Sequence, residues 1–341
     1  MIVVMKSGST EEHVADVSSR LTDLGYLVTK IVGVEKTILA AVGGAEYEKV
    51  DSIDQLRSLD WVDDVMLITK SYKFVARESK VDRTIIDLGD GVTIGGNQIS
   101  MMAGPCTVES EEQLYTTAES VAKAGATILR GGAYKPSTSP YSFQGMGVPA
   151  LKLLKEAASK FGLKVITEVM DLRKIDLVGE YSDILQIGTR NMQNYDLLRE
   201  LGRSNRPVMI KRGMSAKYEE WLLACEYVAA NGNENIMLCE RGIRTFETGT
   251  RNTLDLSAIP VMHSLSHLPI IIDPSQGTGR RDIVASMSAA SIAAGADGLI
   301  IEVHPNPDHA LKDGSQSVTI QQFEQMMPKL RRIAEAVDRT L

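Results

Sequence analysis

Five cationic side chains, Arg130, Lys135, Arg190, Lys211 and Arg241, stand at or just past the carboxyl ends of successive short apolar runs. The runs cover 126–129, 184–187, 208–210 and 236–238, and each is followed within a few residues by Gly, Arg or Lys. Strand ends are where a β/α barrel presents its chemistry, so this spacing predicts an anion cage at one mouth of such a barrel. The cations could instead be neutralised by Glu168, Glu240, Asp273 or Glu302 in a structural ion-pair network, and the sequence leaves both readings open. Cys106, Glu302 and Asp313 also fall at or beyond strand ends. A thiolate and two carboxylates are ordinary transition-metal ligands, although a lone buried cysteine is usually a small apolar filler.

The elements that must hold these groups can be read from periodicity. Strand-like runs at 99–103, 127–129, 164–168, 183–187, 207–210, 235–238, 268–272 and 298–301 alternate with amphipathic stretches such as 111–124, 148–161, 217–231 and 282–294. This alternation predicts a (β/α)8 TIM barrel over 99–341. An open doubly wound sheet would carry one Gly-rich phosphate loop after its first strand; Ala103-Gly104-Pro105-Cys106 is not such a loop. Ahead of the barrel, strands at 2–5, 26–32, 37–42 and 62–69 with helices at 11–24 and 53–59 give the order βαββαβ. That is a ferredoxin-like plan for residues 1–70, with 71–98 as a linker and a short hairpin at 93–98.

The chain has 341 residues, 43% of them hydrophobic and 24% charged, enough for a large core and a second, small domain. A formal net charge of -7 argues against nucleic-acid binding and turns the Arg and Lys cluster toward a small, highly charged ligand such as a phosphorylated metabolite. Three unpatterned cysteines and the strand-like start at Met1 predict a reduced, cytoplasmic setting. No apolar run approaches the ~18 residues of a membrane span.

Two longer stretches are more specific. Residues 129–145 read LRGGAYKPSTSPYSFQG and residues 239–247 read CERGIRTFE. With AGPC at 103–106, IGTRN at 187–191, IKRG at 210–213, DPS at 273–275 and EVHP at 302–305, they resemble the 3-deoxy-D-arabino-heptulosonate 7-phosphate (DAHP) synthases, in the subgroup related to 3-deoxy-octulosonate 8-phosphate synthase. The N-terminal module is similar to the one that members use for feedback control.

The resemblance implies condensation of phosphoenolpyruvate with erythrose 4-phosphate, the first step of the shikimate pathway. In it, Arg130, Lys135, Arg190, Lys211 and Arg241 match the positions that hold phosphoenolpyruvate, for which forked Arg donors are well suited. Lys135 would also give a proton to the developing alkoxide. Cys106, Glu302 and Asp313 match metal positions for Mn2+ or a similar divalent ion, with no organic cofactor. The fourth position is a His in the family and Gln276 here; a carboxamide oxygen is a poor ligand for borderline metals, so metal binding is expected to weaken.

A second departure lies in the acceptor half. The family reads Lys-Pro-Arg-Thr where this chain reads Lys135-Pro136-Ser137-Thr138, which removes a cation for the phosphate of erythrose 4-phosphate. Thr138 and Ser139 remain as neutral donors, with Arg280 or Arg281 as compensating cations. DAHP synthesis is the leading expectation. The alternatives are a paralogue that condenses phosphoenolpyruvate with a different, unphosphorylated aldehyde, and a non-catalytic ligand sensor.

Further expectations concern single groups and the N-terminal module. His304, beside Glu302, is expected to orient a ligand or relay a proton, or else to be a structural histidine. Asp273 is expected to orient water or Lys135, and Glu168 to bind the attacking water. His13 and His309 are read as solvated, and His263 and His267 as lying at the barrel's far end. If the N-terminal module works as in the family, Tyr or Phe is the effector and the protein is a homotetramer.

Overall fold

The computed structural model describes residues 1–33, 36–43, 53, 55–66, 71–137 and 139–341, which divide into two compact units. The larger comprises Arg83–Ser264 and Leu268–Leu341. Among its described residues eight parallel strands close into a barrel in chain order: Ser100–Gly104, Ile128–Arg130, Lys164–Glu168, Ile184–Ile187, Val208–Lys211, Ile236–Glu240, Ile270–Ile272 and Gly298–His304. The last strand pairs back onto the first, from Gly298 opposite Ser100 to Glu302 opposite Gly104. The (β/α)8 expectation is therefore met, with strand ends displaced by at most three residues.

These strands read as unbroken apolar runs because both faces are covered, by the barrel interior on one side and helices on the other. Met102, Ile128, Ile166, Ile184, Met209, Met237, Cys239, Ile271 and Ile300 form one buried cluster, joined by Ile86 and Ile94 of a two-stranded hairpin. That hairpin pairs Ile86–Asp87 with Thr93–Ile94, which corrects the expected hairpin at 93–98. It sits at the amino ends of the strands. Lys164, the first residue of its strand, bonds Asp90 in the hairpin turn at 2.7 Å, and Ser100, the first of its own, donates to Thr93 O at 2.8 Å. Chemistry is thereby left to the carboxyl ends.

Helix boundaries follow local signals. Ser110 caps Glu111–Ala124 by accepting from Gln113 N, and left-handed Gly125 ends it. Helix Val148–Phe161 ends likewise at left-handed Gly162.

The smaller unit comprises Met1–Asp82 and Leu265–His267. Its antiparallel sheet has the order Tyr26–Val32, Thr37–Gly43, Ile2–Met5, Val62–Met66, the ferredoxin-like arrangement. Helix Glu11–Asp23 buries Val14, Val17 and Leu21 against it. Of the second expected helix, residues 53 and 55–57 are helical, and 54 lies outside the described residues, as do 67–69 of the expected last strand. His13 is not simply solvated: its Nδ1 accepts from Thr10 N in a capping box, and its ring stacks on Trp61 with centroids 4.9 Å apart. His267 Nε2 bonds Phe74 O at 2.8 Å.

Candidate active site

The barrel brings the sequence-selected groups to one mouth. Arg130 and Lys211 are the last residues of the second and fifth strands, Arg241 directly follows the sixth, and Arg190 lies in a 3-10 turn, Thr189–Asn191, after the fourth. Glu168 ends the third strand, and Glu302 lies in the eighth. Asp273 follows the seventh and caps the short helix Pro274–Thr278, accepting from Gln276 N at 2.8 Å.

Cage and ion-pair network coexist. Arg130 Nη1 lies 3.2 Å from Glu302 Oε1, and Lys211 Nζ 2.6 Å from Asp273 Oδ2, all four side chains buried. Asp273 therefore serves Lys211 rather than Lys135, and Lys211 and Arg130 hold its carboxyl below the usual range against the effect of burial. Lys135 Nζ reaches Cys106 Sγ at 2.7 Å and Asp313 Oδ2 at 2.8 Å. Glu240 lies outside the cage: it pairs with Arg212 at 2.9 Å and accepts from Gly242 N at 2.6 Å, fixing the turn that presents Arg241.

Arg241 is the exception. Its side chain is buried, yet Nε and Nη1 have no hydrogen-bond partner among the described residues. Burial depresses its basicity, the nearby Arg251 adds to that, and Asp273 opposes it. A buried guanidinium with unpartnered nitrogens is costly unless something anionic meets it. Beside it lies a small cavity of about 50 Å³ lined by Lys135, Glu168, Arg190, Lys211, Arg241 and Gln276, among others. A wider cleft of about 300 Å³ adjoins it.

Glu168 lines the small cavity with its carboxyl pushed above the usual range; burial outweighs the pull of Lys135, Lys211, Arg130 and Arg190. Gln186 Nε2 touches it at 3.4 Å. His304 is engaged elsewhere: Nδ1 accepts from Asn306 N at 3.0 Å and Nε2 bonds Glu109 Oε2 at 3.3 Å. Because Glu109 also accepts from Leu311 N at 2.9 Å, His304 steadies the loop that carries Asp313.

The metal question turns on Gln276. Donor atoms of Cys106, Glu302 and Asp313 all lie within 4.8 Å of one another, close enough to share one ion. Gln276 does not complete the set. Its Oε1 accepts from Lys211 Nζ at 3.2 Å, and its Nε2 donates to Glu302 Oε1 at 3.1 Å. Turning the amide over would set oxygen against carboxylate and NH2 against ammonium, so the orientation is fixed by its neighbours. The residues fit a divalent ion held by three side chains, with Gln276 outside the ligand set. Burial, Glu302 and Asp313 raise the Cys106 pKa, so its thiol donates to Asp313 Oδ2 at 3.0 Å.

On the acceptor side, Ser137 Oγ donates to Phe143 O at 3.1 Å and Ser139 lines the wide cleft, while Thr138 lies outside the described residues. Arg280 and Arg281 are not free to compensate. The first is bound to Asp282 and Gly249 O, the second to Asp308 and Gly314 O. Besides Lys135, Arg190 and Arg241, the cleft is lined by two further cations, Arg251 and Lys312, neither singled out by sequence because both lie in loops without periodicity. Gln316, missed for the same reason, donates to Glu302 Oε2 at 2.8 Å.

Comparison with known proteins agrees with this geometry. Residues 77–339 match the model of the DAHP synthetase I family, and residues 1–70 match the DAHP synthase ferredoxin-like domain. The chain belongs to the DAHP synthetase I family. It is 48% identical over 337 residues to the phospho-2-dehydro-3-deoxyheptonate aldolase of Thermotoga maritima, covering 99% of this chain and 98% of that protein. It is also similar to the 2-dehydro-3-deoxyphosphooctonate aldolase of Syntrophotalea carbinolica, 32% identical over 262 residues, 71% of this chain and 93% of that protein. The crystal structure of the Thermotoga maritima DAHP synthase superposes with a TM-score of 0.79 at 47% identity, covering 99% of this chain and 98% of that one. Family membership thus joins the barrel and its N-terminal module in one enzyme type. No helix among the described residues is long and apolar enough to cross a membrane.

Proposed function

We propose that the protein condenses phosphoenolpyruvate with erythrose 4-phosphate and water to give DAHP and inorganic phosphate. The observation that carries this is Arg241, a buried guanidinium with two unpartnered nitrogens beside a cavity also lined by Lys135, Arg190 and Lys211. An enol phosphate with a carboxylate supplies the anionic oxygens those donors lack. The two departures in the acceptor half do not outweigh near full-length similarity to a phospho-2-dehydro-3-deoxyheptonate aldolase, so a different aldehyde is not favoured.

C3 of phosphoenolpyruvate forms the new bond to the aldehyde carbon, a proton from Lys135 meets the developing alkoxide, and water adds to C2. The C2–O bond to phosphate then breaks. Glu168, buried and easily protonated, accepts a proton from that water. Asp273 and Gln276 hold the Lys211 ammonium between them. Cys106, Glu302 and Asp313 would hold a divalent ion, whose chemistry is to polarise a carbonyl oxygen. The test is phosphate release from the two substrates with DAHP detected directly. No product with any divalent ion or with chelator would overturn the reading.

We read residues 1–70 as the control module, with Tyr or Phe as effector and a cytoplasmic homotetramer as the working assembly. The match to the DAHP synthase ferredoxin-like domain supports this. Removing residues 1–70 is expected to leave activity and abolish aromatic inhibition; inhibition that persists would refute it.

A further inference from the structure

The cleft of about 300 Å³ beside the phosphoenolpyruvate cavity contains two cations that the chemistry above does not use. It shares Lys135, Pro136, Arg190, Arg241, Arg251 and Gln276 with the small cavity. Lys135 therefore stands at the junction of the two spaces. An aldehyde carbon reacting next to Lys135 must direct the rest of its chain away from the inner cavity, which the first substrate fills. The adjoining cleft is the space that receives it.

The part of that cleft away from the inner cavity carries Ser137, Ser139, Ser142, Lys312 and Asp313, and Arg251 borders both spaces. Neutral hydroxyls alone hold a phosphate dianion poorly, and the Ser137 hydrogen is already committed to Phe143 O. Ser139 Oγ accepts from Tyr141 N at 3.3 Å, which leaves its O–H to donate. Arg251 is half exposed, with a side-chain relative exposure of 46%. One guanidinium nitrogen, Nη1, bonds Gln316 Oε1 at 3.0 Å and stands 4.0 Å from Asp313 Oδ1. No hydrogen bond from its remaining nitrogens is made to the described residues. Lys312, half-buried, forms no ion pair or hydrogen bond among the described residues.

The stem of Arg251 is aimed by a bare backbone. Gly279, left-handed at φ +70° and ending the short helix Pro274–Thr278, lies under it; a Cβ there would come within 2.5 Å of Arg251 Cβ and 3.1 Å of its Cδ. Any side chain at 279 would push Arg251 out of the cleft and strain the turn.

We propose that Arg251 and Lys312, with the Ser139 hydroxyl, form the clamp for the phosphate of the acceptor aldehyde. The inference rests on the proposed condensation and names the residues that select a phosphorylated acceptor. Arg251 supplies the fork, held in place by Gln316, and Lys312 supplies a second charge from the facing loop.

The experiment is steady-state kinetics of the full-length protein with phosphoenolpyruvate and erythrose 4-phosphate, on wild type, R251A, R251K, K312A and the double alanine variant. Wild type is measured first. If it releases no phosphate, the condensation and the clamp fall together. If it turns over, R251A is expected to raise KM for erythrose 4-phosphate at least tenfold and by a clearly larger factor than KM for phosphoenolpyruvate, because Arg251 also borders the inner cavity. R251K should recover part of the loss, K312A lose less than R251A, and the double variant most. The thermal shift caused by phosphoenolpyruvate should survive in all of them, showing an intact fold and inner cavity. Turnover by wild type with an unchanged erythrose 4-phosphate KM in the double variant would sink the clamp alone, as would an equal rise in both KM values. Should R251A fail to fold, K312A and R251K decide the matter by the same KM comparison.

Discussion

Gly188 has no side chain where the Glu168 carboxylate lies: a Cβ there would overlap Oε1 and come within 2.8 Å of Cδ. The glycine at the end of the fourth strand thus exists for the acid at the end of the third. Gly188→Ala is expected to drive Glu168 out of the cavity and lower kcat more than tenfold, while phosphoenolpyruvate still raises Tm through the untouched Arg241. Glu168→Gln should lower kcat by about 10²-fold or more, the scale of one lost proton-transfer group. Rapid-quench or steady-state phosphate release reads both; unchanged kcat in both variants would remove Glu168 from the chemistry.

Arg241 predicts the opposite sign for stability and for binding. With no ligand its buried charge lacks partners at two nitrogens, so Arg241→Met, which keeps the stem and drops the charge, is expected to leave Tm unchanged or raise it. Affinity for phosphoenolpyruvate should fall by at least about 10²-fold, since two charge-assisted hydrogen bonds are worth about 1.5–3 kcal/mol each. Calorimetric titration against thermal melts separates the two. A large fall in Tm without ligand would mean that Arg241 is structural.

What the sequence made legible was whatever local pattern dictates. Strand ends could be read because apolar runs stop where polar residues begin, and this located Arg130, Lys211 and Glu168 at once. Partnership across the barrel could not. Lys135 meets Cys106 and Asp313, 29 and 178 positions away, and only closure of the barrel brings them together. The choice between an anion cage and an ion-pair network was undecidable for the same reason: Arg130 and Lys211 found carboxylates, and Arg241 did not. Arg251 and Lys312 were invisible because no periodicity marks a loop residue whose direction is set by tertiary contacts. His304 beside Glu302 left a ligand-orienting and a structural role both open in the sequence, and only the fold shows its two nitrogens bonded to Asn306 and Glu109.

Gln276 predicts how the metal site should respond to repair. Its NH2 faces Glu302 Oε1, which Arg130 also touches, so a bound ion would be held by Cys106, Glu302 and Asp313 without a fourth side chain. Gln276→His is expected to add an imidazole donor and tighten Co2+ or Mn2+ binding by at least tenfold. Cobalt provides a readout apart from activity, through the visible and near-ultraviolet bands of a thiolate-bound ion. Equal affinity in wild type and Gln276→His would show that position 276 does not reach the ion.

His267 ties stability to pH in the smaller unit. Burial pushes its pKa down to about 4 from an ordinary value near 6.5, the bond to Phe74 O opposing that fall only in part. The folded state thus prefers the neutral ring, and the unfolded chain takes up the proton first. The contribution is fully present above pH 6.5 and is lost as pH falls from there toward about 4. By pH 5 the loss is on the order of 2 kcal/mol. His267→Gln keeps a donor for Phe74 O but cannot be protonated, so its unfolding free energy should fall less between pH 7 and pH 5 than that of wild type. Urea titrations at the two pH values measure the difference, and parallel losses in both proteins would rule out His267 as the source.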